Sequence, residues 1–98
     1  MNISVNRENE KLTVSVDGRI DTVTAPELEK CIDDNVGNTT ELVLDLKNMS
    51  YTSSAGLRVF LKAQKLMKDR GSMVIKNVQN EVMEIFDITG FSDILTIE

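Results

Sequence analysis

The sequence contains no histidine and no tryptophan, and it has one cysteine and one proline. Without histidine there is no imidazole for acid–base catalysis and no Cys/His zinc site, and the lone Cys31 cannot form an internal disulfide. The carboxylates show no spacing that would specify a metal ion. We therefore expect a protein that is not an enzyme and that uses no metal and no cofactor.

Basic residues are also scarce. There are 11 Lys and Arg against 16 Asp and Glu, which gives a net charge of -5. A domain of that sign repels a phosphate backbone, so nucleic acid is not an expected partner. No apolar run approaches the roughly 18 residues of a membrane span, and the N-terminus lacks the apolar centre of a signal peptide. We expect a cytoplasmic protein that does not bind membranes.

The remaining composition is that of an ordinary globular domain, with 98 residues, 41% apolar and 28% charged. That length suits one hydrophobic core, so we expect one domain over residues 1–98, with nothing that demands more than a monomer. Apolar and polar residues alternate on either side of residues 7–10, which is typical of a hairpin, and Asp17-Gly18 is expected to end its second strand. The near-continuous apolar run at 42–46 indicates a central strand covered on both faces.

Three segments have the apolar spacing of amphipathic helices, at about 24–34, 54–70 and 82–89. Thr24 is the expected N-cap of the first helix, with Glu27 three residues later. Short apolar stretches at 73–75 and 94–97 indicate two further strands. The order β-β-α-β-α-β-α-β predicts an α/β fold with a mixed, mostly parallel sheet of four or five strands covered by helices.

The loop expected at 47–52 leads directly into the second helix, at the carboxyl end of a strand, where open α/β sheets place their sites. Ser53 and Ser54 lie where that helix starts, and either hydroxyl would serve to cap a free backbone N–H. Gly56 costs about 1 kcal/mol relative to alanine inside a helix. Its smallness would be useful if something approached the backbone closely there.

The same helix is expected to carry an exposed basic stripe. Leu57 and Leu61 either form an apolar strip at its edge or pack under the neighbouring strand. Such a stripe would bind an acidic partner, although a solvated helix face carries the same residue types. Its basic residues are Arg58, Lys62 and Lys65.

A serine at a strand-to-helix turn is also where the Gly-x-Ser-x-Gly elbow places a nucleophile. Here Thr52 stands in the first glycine position, and no histidine is present to activate Ser54. The sequence therefore does not favour a hydrolase.

The segment from Asp45 to Arg58, with Ser-Ser-Ala-Gly-Leu-Arg at the helix start, resembles the signature of STAS domains, the family of bacterial anti-sigma factor antagonists. Gly18-Arg19-Ile20-Asp21 resembles the Gly-x-Leu/Ile-Asp stretch before the family's first helix, and residues 82–91 resemble its C-terminal helix. The resemblance implies one STAS domain over residues 1–98. It further implies a serine that is phosphorylated by an anti-sigma factor with serine kinase activity, which the unphosphorylated form binds, and a serine phosphatase that reverses the modification.

The family's pattern is Asp-Ser-x-Gly-Leu with the serine as phosphate acceptor, so the resemblance implies that Ser54 is the acceptor. Ser53 occupies the aspartate position, which leaves two adjacent hydroxyls as candidates. Asp21 is either part of the partner surface or an exposed turn carboxylate. The other expected partner-binding residues are Ser53, Gly56, Leu57 and Arg58. A STAS adaptor that joins a transporter or signalling complex without being phosphorylated would have the same fold, and it is the alternative function.

Overall fold

The computed structural model describes residues 1–98, and the chain begins with a hairpin. Strands β1 (Asn2–Glu8) and β2 (Lys11–Ile20) pair antiparallel, with Val5 opposite Val14. Asn9 in the connecting turn has a φ of 58°, a left-handed conformation that asparagine tolerates better than most residues. The expected hairpin is confirmed.

Helices and parallel strands alternate along the rest of the chain, in the order α1 (Ala25–Asn35), β3 (Glu41–Thr52), α2 (Ser54–Lys68), β4 (Ser72–Lys76) and α3 (Asn80–Thr89). The sheet order is β1-β2-β3-β4, antiparallel in the first pair and parallel in the other two. The predicted α/β fold with a mixed, mostly parallel sheet is confirmed. None of the helices has both the length and the apolar character needed to cross a membrane.

All three helices pack on the same face of the sheet. The strands follow one another in one direction, from β2 to β3 to β4, and right-handed crossovers then place α1 and α2 on one side. Buried residues of the three helices and of this sheet face form one apolar cluster. Within it, Phe60 of α2 meets Phe86 of α3 edge to face, with ring centroids 6.0 Å apart.

The second face of the sheet is mostly polar and carries no helix. Its residues lie in register across the strands, with Asn6, Thr13, Val43 and Val74 in one row and Ser4, Ser15, Asp45 and Lys76 in another. Val43 is the one buried apolar residue outside the core cluster. The expectation that the central strand is covered on both faces is therefore wrong, because both crossovers have the same hand and run in the same direction.

Strands β2 and β3 are longer than the sequence pattern indicates. Two register shifts interrupt their pairing, but it continues to Ile20 opposite Thr52. Gly18 has a φ of 106°, which lets β2 follow this irregular path without ending. Asp17-Gly18 is thus a bulged stretch and not a strand end, and residues 47–52 are strand and not loop. The serine pair consequently lies directly at the end of the sheet.

The C-terminal residues also differ from the expected edge strand at 94–97. A short 3₁₀ turn (Phe91–Asp93) is followed by one isolated parallel bridge between Ile75 and Ile97. Leu95 is only 5% exposed and belongs to the core cluster, so the chain turns inward before it can pair along β4. The predicted fifth strand is reduced to that bridge.

Candidate functional site

The serine pair joins the end of β3 to the start of α2, and its two hydroxyls lie in different environments. Ser53 is the N-cap residue, in an extended conformation, with its N–H donating to the carbonyl of Ile20 at 2.9 Å. Its hydroxyl oxygen is buried and has no hydrogen-bond partner in the protein. Ser54, the first residue of α2, is exposed. An enzyme therefore has access to the hydroxyl of Ser54 and not to that of Ser53.

The first turn of α2 has free donors and no negative charge. Leu57 is the first residue whose N–H bonds back into the turn, to the carbonyl of Ser53 at 3.1 Å, so the three preceding N–H groups have no acceptor in the helix. No side chain caps this end, and no acidic residue lies in the turn. The expectation that a serine hydroxyl caps the helix is wrong. This end of the helix is electrostatically suited to an added anion.

Gly56 allows α2 to begin directly against the ends of two strands. A Cβ at this position would lie 2.2 Å from the Thr52 hydroxyl oxygen and 2.7 Å from Cγ2 of Ile20. Both distances are far below van der Waals contact, so only glycine fits without movement. The groups that approach the backbone closely at Gly56 are the side chains of Thr52 and Ile20. Gly56 is buried and shapes the site from within.

Leu57 and Arg58 lie on different sides of α2. Leu57 is only 5% exposed and belongs to the core cluster, so of the two alternatives for this leucine, an exposed apolar strip and packing in the interior, the structure shows the second. The reason is the direction of the first helical turn, which points Leu57 at the sheet. Arg58 is exposed, as are the other residues of the basic stripe, Lys62 and Lys65.

The loop between β2 and α1 is organised by Asp21. One carboxylate oxygen accepts hydrogen bonds from the N–H groups of Val23 and Thr24, each at 2.9 Å. The Thr24 hydroxyl in turn accepts a bond from the N–H of Asp21 at 2.9 Å. These backbone bonds, that from Thr24 first, lower the pKa of Asp21 below its usual 3.8. Thr24 thus closes this loop and does not cap α1 with its side chain, which corrects the expected capping box.

A shallow groove of about 300 Å³ runs between α1 and α2 beside the serine pair. Ala55, Arg58 and Lys62 line it from α2, and Glu29 lines it from α1. Lys62 bonds to Glu29 at 3.0 Å, and this hydrogen bond is the main reason that the pKa of Lys62 is raised. Arg58 makes no ion pair and no hydrogen bond within the protein, so its positive charge is available.

The chain matches a known family over nearly its whole length. A family model described as the STAS domain matches residues 2–98. The chain belongs to the STAS domain family.

Relatives of this STAS domain share nearly its whole length. An anti-sigma-B factor antagonist of Listeria monocytogenes is 35% identical over 103 residues, which cover 100% of this chain and 90% of the relative. One of Bacillus subtilis is 33% identical over 98 residues, 99% of this chain and 90% of that protein. The crystal structure of an anti-sigma factor antagonist from Mycobacterium paratuberculosis superposes with a TM-score of 0.88 at 25% identity, over 98% of this chain and 83% of that one.

Three exposed side chains that the sequence patterns did not single out lie on the elements that flank the junction. Arg19 and Tyr51 are cross-strand partners at the ends of β2 and β3, with the guanidinium carbon 4.4 Å from the ring centroid. Val23, in the loop held by Asp21, is 79% exposed. The sequence could not indicate the Arg19–Tyr51 pair, because residues 47–52 were expected to be a loop and Tyr51 therefore had no expected cross-strand partner.

Proposed function

We propose that this STAS domain is an anti-sigma factor antagonist that is switched by phosphorylation of Ser54. The unphosphorylated form binds an anti-sigma factor with serine kinase activity, phosphorylation of Ser54 releases it, and a serine phosphatase restores binding. The observation that carries the proposal is the contrast at the junction, where Ser54 is exposed and the neighbouring Ser53 hydroxyl is buried. The names of the relatives as anti-sigma-B factor antagonists supply the class of partner.

The proposed docking surface extends from Ser54 along α2 and onto the neighbouring strand ends and the loop after β2. It combines an exposed apolar side chain at Val23, a stacked cation and ring at Arg19 and Tyr51, and a free guanidinium at Arg58. Exposed aromatic and arginine side chains are the types that dominate binding energy at interfaces. Gly56 and Leu57 contribute indirectly, since both are buried and hold the start of α2 in place. Asp21 acts in the same indirect way by holding the loop that presents Val23.

Phosphorylation is expected to change association and not the fold. A phosphate adds about -1.5 to -2 charges at pH 7. At the free end of α2 those charges meet unpaired N–H donors, so the domain itself tolerates them. At an interface the same group loses its water, and a buried unpaired charge costs roughly 2 to 5 kcal/mol. That cost corresponds to a loss of affinity of about 30- to 4000-fold.

The test is a phosphorylation assay on two matched variants. Wild type, Ser53→Ala and Ser54→Ala are incubated with ATP and the cognate anti-sigma factor kinase, and their intact masses are measured. We expect one phosphate on wild type and on Ser53→Ala, and none on Ser54→Ala. Ser53→Ala should also unfold at nearly the wild-type urea concentration, because the hydroxyl that it removes has no partner to lose.

Two other outcomes would count against the proposal. A phosphate that disappears in Ser53→Ala and persists in Ser54→Ala would move the acceptor to the buried serine. No phosphate on any variant, with Ser54→Asp binding the partner as well as wild type, would instead establish a constitutive STAS adaptor.

A further inference from the structure

Arg58 lies one helical turn after the proposed phosphate acceptor. It follows Ser54 by four residues in α2, and side chains with that spacing are neighbours, with Cβ atoms about 5–6 Å apart. Both residues are exposed. A long arginine side chain on this turn points back toward the N-terminus of the helix, as side chains on helices generally do.

Arg58 is also the unengaged cation next to the serine. The Lys62 ammonium on the next turn already bonds to Glu29 at 3.0 Å and lies 3.9 Å from Asp33. Arg19 stacks on Tyr51. The guanidinium of Arg58, by contrast, has no partner among the side chains or carbonyls of the protein.

No carboxylate near the acceptor competes for Arg58. Glu29, which shares the groove with Arg58, is paired with Lys62. The carboxylate of Asp21 accepts bonds from its own loop. The first turn of α2 contains no acidic residue. A phosphate on Ser54 would therefore be the strongest anion within reach of this guanidinium.

We propose that Arg58 is the internal counter-ion of phosphorylated Ser54, a proposal that rests on the function given above. A guanidinium donates two parallel N–H bonds to a phosphate, a geometry that a lysine ammonium does not reproduce. In the unphosphorylated protein Arg58 is free to meet an acidic group of the partner. In the phosphorylated protein the guanidinium of Arg58 binds the phosphate on Ser54 of the same helix. The modification thus adds negative charge to the docking surface and withdraws a positive charge from it at the same time.

The direct test is the second ionisation of the phosphate, followed by ³¹P NMR as a function of pH. Phosphoserine is installed at position 54 during translation, so the sample needs neither kinase nor partner. Arg58→Gln is expected to raise the phosphate pKa by about 0.15–0.4 pH units, because a stabilising helical charge pair is lost. Arg58→Gln is expected to fold, since residue 58 is exposed, and circular dichroism checks this.

Lys65→Gln is the matched control, because it removes the same charge from the same helix. Lys65 lies eleven residues after Ser54, about 16 Å along the helix axis, which exceeds the screening length of about 10 Å at 0.1 M salt. Its substitution should leave the phosphate pKa unchanged.

Equal pKa values in wild type and Arg58→Gln would overturn the proposal, as would equal shifts in Arg58→Gln and Lys65→Gln. The proposed function is tested separately by partner binding. If the phosphorylated wild type still bound the partner, the proposed switch would be wrong. The phosphate titration would still decide whether Arg58 is the counter-ion.

Discussion

At the scale of single residues, two adjacent serines differ because of the direction that each side chain takes at one junction. Their chemistry is identical, and the sequence alone left both as acceptors. The extended conformation of Ser53 turns its hydroxyl inward, whereas Ser54 enters the helix on the solvent side. Burial, which no local pattern encodes, leaves only the hydroxyl of Ser54 accessible.

Gly56 gives a prediction about packing. Gly56→Ala is expected to lower the free energy of unfolding by about 1–2 kcal/mol, because overpacking against Thr52 and Ile20 exceeds the gain in helix propensity. Urea unfolding measures the change. In the double variant with Thr52→Ala the loss should be smaller than the sum of the two single losses, since the nearest clashing atom is gone. Strict additivity would mean that the close contact does not constrain this position.

Asp21 gives a prediction about pH. Its pKa is lower in the folded protein than the usual 3.8, so the stability that it contributes is present above that pH and is lost as the pH falls through the lower folded value. Asp21→Ala should therefore be less stable than wild type at pH 7. The difference in unfolding free energy between the two proteins should narrow as the pH falls below 3.8. Urea unfolding at a series of pH values measures this difference. A difference that is constant down to pH 2 would contradict the role given to this carboxylate.

At the scale of elements, the two faces of the sheet should respond differently to the same substitution. Val14 is fully buried in the core cluster, whereas Val43 lies on the face that no helix covers. Val14→Thr should cost about 1–3 kcal/mol, since its hydroxyl would be buried without a partner. Val43→Thr should cost less, below about 1 kcal/mol, because its neighbours Thr13 and Val74 are only partly buried and leave the edge of the site open. Equal losses in urea unfolding would indicate that both faces are covered.

The same elements show how far sequence patterns reach. Periodicity predicted the hairpin, three helices and the parallel strands, because each element must bury one apolar side. The patterns could not show that residues 47–52 continue β3, since that depends on pairing with a bulged β2. Nor could they place Leu95, whose four-residue apolar stretch suits an edge strand as well as an inward turn. For the site, the motif proposed Ser54, Asp21 and Arg58, which stay predictions, and it did not show that Leu57 faces the core.

At the scale of the whole molecule, the phosphate is expected to leave the fold intact. An anion at a helix N-terminus contributes about 0.3–1 kcal/mol, which for a domain of this size raises the Tm by about 1–8 °C. Thermal unfolding of the two forms, followed by circular dichroism, measures the shift. A clear fall in Tm on phosphorylation would mean that the switch acts by loosening the domain.

The central claim is that one charge group at the end of α2 decides whether another protein docks. Isothermal titration of the cognate anti-sigma factor with the unmodified and the Ser54-phosphorylated protein tests it most directly. The account predicts that phosphorylation weakens binding by about 30- to 4000-fold, with Ser53→Ala switching as wild type does. Equal affinities of the two forms for the anti-sigma factor would contradict it.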